Sequence, residues 1–241
     1  MPELIIVGGG LAGCEAAFQA AERGISVLLF EMRPVGSTPA HTTDKLAELV
    51  CSNSLGSLLP DRASGLLMSE LEKLNSLLMR IARQSSVPSG GSLSVDRDVF
   101  SMGIEKILFN HPRITVIREE VLSIPTQPAI IASGPLTSPS FTDAISEFTG
   151  QDNLFFYDAV APIIRKESID FSIAFSASRF AAEKGQTADY INCPLNKDEF
   201  DEFVAALTSA DRIPLKTYEA DLQNGVTAGK GSFFNGCVPI E

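Results

Sequence analysis

Leu4-Ile5-Ile6-Val7-Gly8-Gly9-Gly10-Leu11-Ala12-Gly13 is the stretch whose reading decides the fold. Four consecutive apolar residues read as a strand buried on both faces. The glycines then turn the chain, and residues 14–23 continue as a helix that stops at Gly24. Gly8, Gly10 and Gly13 fill the three glycine positions of the dinucleotide fingerprint: a sharp turn, a close approach of backbone to pyrophosphate, and tight helix–strand packing. Gly9, Leu11 and Ala12 share that turn and count with them as cofactor-binding candidates. The helix N-terminus beyond offers unpaired N–H groups and a positive dipole end to the pyrophosphate. A second apolar run, residues 25–30, ends at Glu31, 21 residues after Gly10. An acid there is placed to accept hydrogen bonds from ribose hydroxyls. The competing reading is a βαβ unit whose glycines serve packing alone.

With 241 residues and 44% hydrophobic content, the chain can bury one large core or two small ones. Nineteen Lys and Arg stand against 30 Asp and Glu, a net charge of −11. That balance does not advertise nucleic-acid binding, which draws on a basic face. Cys14, Cys51, Cys193 and Cys237 are widely spaced and, with His41 and His111, form no metal-ligand pattern. A reducing, cytoplasmic setting fits them. The apolar N-terminus has no basic leader and runs into the glycine turn, so it reads as a core strand rather than a signal peptide. No apolar run is long enough to span a bilayer.

Beyond Glu31, residues 32–43 form a loop rich in Pro, Gly, Ser and Thr that could cover a cofactor. Arg33 within it either reaches the adenosine side or is a solvated surface charge. Asp44 is expected to start a helix over residues 45–50, followed by the polar run Cys51-Ser52-Asn53-Ser54-Leu55-Gly56-Ser57, which no core requires. Leu67, Leu71, Leu74, Leu78 and Ile81 recur at spacings that predict one amphipathic helix over about residues 65–83. A short strand at residues 93–95 then leads to Asp96, a cap for a helix through about Asn110. Residues 114–117 and 129–132 read as strands, the latter ending at Ser133-Gly134-Pro135, and Ser138-Pro139 opens a helix to about Thr149. A strand is expected at residues 154–157, and a helix at 198–207 with Phe200, Phe203 and Val204 on one face. Residues 141–241 hold 16 acids and 8 bases, most of the negative charge. Cys14 and Cys193 are expected to be structural, whereas Cys51 and Cys237 lie in polar or glycine-flanked breaks suited to chemistry.

Several stretches together resemble the folate- and FAD-dependent tRNA uracil-5-methyltransferases, the TrmFO family. They are Gly8 to Ala17, Phe30-Glu31-Met32-Arg33-Pro34, Thr38-Pro39-Ala40-His41, Cys51-Ser52-Asn53-Ser54-Leu55, Val87-Pro88-Ser89-Gly90-Gly91 with Val95-Asp96-Arg97, Ser133-Gly134-Pro135-Leu136-Thr137-Ser138, Ala188-Asp189-Tyr190-Ile191-Asn192-Cys193-Pro194 and Gly236-Cys237-Val238-Pro239-Ile240-Glu241. They run in order along the whole chain. Members of the family are longer, so by resemblance this chain corresponds to their N-terminal portion.

The resemblance implies an α/β fold: an incomplete Rossmann-like FAD-binding domain over residues 1–140, with a second, smaller α/β or α+β segment over residues 141–241 on the substrate side. Glu31, Arg33 and Gly134 would join the glycine turn in holding FAD. The implied reaction methylates C5 of the tRNA T-loop uridine (position 54), with 5,10-methylenetetrahydrofolate as carbon donor and NAD(P)H as reductant through FAD. Uracil C5 is a poor nucleophile; a thiolate added at C6 makes it an enolate-like carbon. By resemblance Cys237 is that thiol, and Cys51 is the second cysteine, interacting with the flavin or managing the C5 proton. Two other functions remain: a related rRNA uridine methyltransferase, and a non-catalytic flavin-binding module needing a complementing C-terminal chain. No metal and no membrane enter any of these.

Overall fold

The structure, a computed structural model, describes residues 3–38, 40–150, 165–177 and 190–210. In chain order the elements are β1 (Leu4–Val7), α1 (Leu11–Glu22), β2 (Val27–Phe30), β3 (Ser54–Ser57), α2 (Ala63–Lys73), α3 (Leu77–Gln84), β4 (Ser86–Val87), β5 (Ser92–Val95), α4 (Arg97–Asn110), β6 (Ile114–Ile117), β7 (Ala129–Ile131), α5 (Pro139–Thr149), β8 (Phe175–Ala177), β9 (Tyr190–Asn192) and α6 (Lys197–Ser209). The expected strand at residues 154–157 and Cys237 lie outside the described residues.

Four parallel strands form the central sheet in the order β6-β2-β1-β7. Parallel strands are joined by crossovers that cover their faces, which is why β1 and β2 are apolar throughout. Ile6, Val27 and Leu29 are buried, and α1 lays Cys14, Ala17, Phe18 and Ala21 into the same core. Phe100, Ile104 and Leu108 of α4 and Leu77, Met79 and Ile81 of α3 complete it. This is the expected α/β architecture, with the glycine turn at the C-terminal end of β1. A separate antiparallel sheet, β3-β5-β4, and the β8–β9 hairpin make up the remaining strands among the described residues. The edge strand β7 is exposed along its length, with Ile130 and Ile131 each 40% accessible.

Two local expectations are corrected. Residues 45–50 are not helical, because their N–H groups find distant partners: Leu46 donates to the Glu105 carboxylate and Ala47 donates to the Gly9 carbonyl. Ala47 takes a φ of 52°, in the left-handed region, to do so. The predicted helix over residues 65–83 is two helices, α2 and α3, and Leu67 and Leu74 are exposed. Asn75 breaks it at φ 58°, and Ser76 caps α3 by accepting from the Met79 N–H. Glu15 of α1 then accepts from Ser76 Oγ and from the Leu77 and Leu78 N–H groups, an acid at the positive end of α3. Within the polar run, Ser54–Ser57 forms β3, paired antiparallel with β5.

The α4 and α5 helices fall where the sequence placed them, capped by Asp96 and Ser138. α6 also forms, with a capping box between Asn196 and Glu199, and Phe200, Phe203 and Val204 are exposed. At Gly13 a Cβ would lie 1.8 Å from the Gly8 carbonyl oxygen, inside any contact distance, so the α1–turn approach requires glycine. Gly13→Ala is expected to lower the unfolding free energy by about 2–3 kcal/mol in urea denaturation. A variant as stable as the parent would contradict this packing.

Candidate nucleotide site

The turn after β1 opens onto a cavity of about 310 Å³, within the range of small-molecule pockets. It is lined by Gly8, Gly9, Gly10, Leu11 and Ala12 of the turn, by Glu31, Arg33, His41 and Glu48, and by Gly134 and Phe141. Gly13 is the one residue of the fingerprint not on the lining, and it serves the α1–turn packing instead. Gly8 has φ 107° and its Cβ would sit 2.6 Å from the Ala132 carbonyl oxygen, so the backbone that follows β7 packs closely on the turn. Gly10 differs from both. A Cβ there would meet no protein atom within 4 Å. No side chain caps α1 at Gly10, and Leu11 and Ala12 of its first turn face the cavity wall. Helix N-terminal N–H groups without a side-chain cap suit an anion.

Glu31 is only 4% exposed and its carboxylate is heavily used. Oε1 accepts from the Arg33 N–H at 3.0 Å and Arg33 Nε at 2.8 Å. Oε2 accepts from the Gly9 N–H at 3.0 Å and Arg33 Nη2 at 3.1 Å. Burial pushes this carboxyl up, but the Arg33 hydrogen bonds and charge, with the Gly9 N–H, outweigh burial and hold it below its ordinary value. Arg33 is 2% exposed, which removes the solvated surface-charge reading. Burial lowers the Arg33 guanidinium, yet Glu31 and Glu48 more than restore it and keep it charged. Arg118 anchors the neighbouring backbone, donating to the Arg33 and Asp44 carbonyls and to Glu105.

His41 Nδ1 lies 2.9 Å from Thr38 Oγ1. Burial and the Arg33 charge push its imidazole below the ordinary value, so it is neutral at pH 7. The Cys14 thiol donates to the Gly9 carbonyl at 3.2 Å, and burial and then Glu31 push it up to about 12. It is a structural thiol, as its helix position suggested. Cys193 is exposed at the end of β9, so core packing does not account for it. Cys51 is also exposed; its carbonyl accepts from Arg97 Nη2, and the adjacent Val50 lines the cavity. His41, Glu48 and Phe141 carried no individual signal in the sequence: His41 stood within a quoted motif, Glu48 within an expected helix, and Phe141 within a second segment.

A lowered Glu31 carboxyl stabilises the fold above the unfolded value and loses that contribution as pH falls through the folded one. The stability difference between the wild type and Glu31→Gln should therefore narrow as pH drops below about 4. Urea titrations at stepped pH measure it; a difference constant with pH would contradict the assignment.

A profile of the family described as glucose inhibited division protein A matches residues 3–232. The chain is 50% identical over 239 residues to a protein of Anoxybacillus flavithermus named methylenetetrahydrofolate–tRNA-(uracil-5-)-methyltransferase TrmFO, covering 99% of this chain and 52% of that one. A Bacillus subtilis protein of the same name is 50% identical over 236 residues, covering 98% of this chain and 51% of its own. The chain thus spans about half the length of the curated relatives it matches. Among solved structures, GidA of Aquifex aeolicus superposes with a TM-score of 0.43 at 20% identity, covering 52% of this chain and 21% of that one. The family match spans nearly every residue from β1 onward, and the chain belongs to the glucose inhibited division protein A family.

Proposed function

We propose that this chain binds FAD at the glycine turn and forms the flavin-side portion of a methylenetetrahydrofolate- and FAD-dependent tRNA uracil-5-methyltransferase. The observation that carries the FAD reading is Gly10. Close contacts demand glycine at positions 8 and 13, but at position 10, on the cavity lining, a Cβ would meet no protein atom within 4 Å. A pyrophosphate against the uncapped α1 N-terminus accounts for that choice. Glu31, at the end of β2, would take the ribose, and Gly134 lines the same cavity. The names of relatives half-identical to this chain support the rest of the reading.

Bound there, FAD would supply the reducing equivalents that convert a folate-derived methylene into a methyl group, replenished by NAD(P)H. The chain's own part is positioning and nucleophilic. Backbone N–H groups of the turn hold the anionic bridge, and Glu31 orients the sugar. Cys237 adds to uracil C6, so that electron density reaches C5, and Cys51 manages the proton released from C5. Residues 1–140 would carry the cofactor and residues 141–241 the substrate side, in a cytoplasmic enzyme acting on tRNA. The net charge of −11 leaves the basic surface for RNA to be supplied elsewhere in the assembly.

A second reading is favoured by the accessible edge strand β7: a flavin-binding module completed by a further chain, with Ile130 and Ile131 in the joint. A methyl-transfer assay separates the two readings, with labelled methylenetetrahydrofolate, NAD(P)H and tRNA, or rRNA in parallel. Enzyme that transfers label should trap a covalent RNA adduct with 5-fluorouracil-substituted substrate, and Cys237→Ala should abolish that adduct. Unchanged adduct in Cys237→Ala would remove the cysteine from its role, and no transfer by the chain with its complementing portion would leave the module reading.

A further inference from the structure

All four donors reaching Glu31 belong to the chain itself. Gly9 N–H, Arg33 N–H, Arg33 Nε and Arg33 Nη2 approach a carboxylate that offers about four acceptor positions. A ribose hydroxyl can bond to Glu31 only if one of these donors gives way. Arg33 Nη2, at 3.1 Å, is the longest of the four. Releasing it leaves Arg33 held to the Glu31 carboxylate by its side chain through Nε alone, so the buried guanidinium then leans on another partner for its neutralisation.

Glu48 is that partner. Its Oε2 accepts from Arg33 Nη1 at 2.6 Å, on the branch of the guanidinium that does not bond Glu31. Its Oε1 accepts from the Thr42 N–H at 2.9 Å, Thr42 Oγ1 at 2.9 Å and the Thr43 N–H at 3.1 Å. The Thr43 carbonyl closes the ring by accepting from Arg33 Nη1 at 3.3 Å. Glu48 is therefore fixed on the loop that carries His41, and it holds Arg33 from outside the Glu31 pair. The other charged groups facing this cluster from packed elements are Arg118 and Glu105, paired with each other at 2.9 Å, and Glu119 and Glu120 on the cavity wall.

We infer that Glu48 is a positioning residue of the nucleotide site: it keeps the Arg33 guanidinium neutralised, so that Glu31 can exchange an internal hydrogen bond for a ribose hydroxyl. The inference rests on the nucleotide-binding reading above. Without the Glu48 charge, Arg33 has only Glu31 to neutralise it, and the ribose must compete with that pair.

The test compares ADP with 2′,3′-dideoxy-ADP on the intact chain by calorimetric titration, in the wild type and in Glu48→Gln. The wild type should prefer ADP by about tenfold, the worth of a hydrogen bond to a charged acceptor. Glu48→Gln should bind ADP about as weakly as the dideoxy ligand, a loss of sugar discrimination that simple loosening of the fold would not produce. A variant that keeps the wild-type ratio overturns the role of Glu48 while leaving the site intact. A wild type that binds neither ligand overturns the nucleotide reading itself, and this inference with it. Should Glu48→Gln fail to unfold cooperatively, Glu48→Ala, which also removes the charge, takes its place, and an unchanged ratio in it is equally fatal.

Discussion

A guanidinium with 2% of its residue exposed has to be neutralised where it stands, and the loop walls of the cavity are arranged around that requirement. Arg33 sits between Glu31 and Glu48, with side-chain contacts of 2.8 and 2.6 Å. Through Glu31 it reaches the Gly9 N–H and so the turn after β1; through Glu48 it reaches Thr42 and Thr43. The turn, the end of β2 and the loop that follows it are thus tied to one buried cation. Removing either carboxylate leaves a charge in the interior with fewer partners, and breaking such a pair costs about 3–5 kcal/mol. An ionic cluster of this kind contributes little net stability compared with apolar packing of the same volume, and what it supplies is a defined geometry at the cavity wall.

The glycine turn is shaped by the same neighbours. Leu46, fully buried, approaches the position a Gly9 side chain would occupy, and the Gly9 carbonyl accepts from both Ala47 N–H and the Cys14 thiol. Gly8, Gly9 and Gly13 each answer a different constraint: Ala132 and Ser133 press on Gly8, Leu46 and Glu31 on Gly9, and the Gly8 carbonyl on Gly13. Of the four glycines of the turn, Gly10 alone would bring a Cβ against no protein atom, and it lines the cavity. Energetics and function meet at that residue.

The parts of this fold that were legible in the sequence are those whose signals are local. The β1–turn–α1–β2 unit, β6, β7, the Asp96 cap of α4 and the Ser138 cap of α5 all follow from contiguous apolar runs, glycines and capping residues. What escaped was set by partners distant in the chain. Residues 45–50 have the composition of a helix, but Gly9 and Glu105 take their N–H groups. The leucine stripe over residues 67–81 fits one helix, yet Glu15, 61 residues before Ser76, binds at the α3 N-terminus and fixes the break. Arg33 was legible only as a choice between surface and site, because the second carboxylate that buries it lies 15 residues on. Glu48 itself looks like any solvated helix acid. The glycines, Glu31 and Arg33 were named from the sequence; Glu48, which holds Arg33 in place, was not.

The central claim is that the cavity at Gly10 is a flavin site, and the most direct measurement is the visible absorbance of the purified chain after equilibration with FAD and removal of unbound cofactor, beside Gly10→Ala. The account predicts oxidised flavin at close to one per chain in the wild type and little in Gly10→Ala, whose added Cβ touches no protein atom and leaves the denaturation midpoint where it was. Flavin retained equally by both, or by neither with FAD in excess, would contradict it.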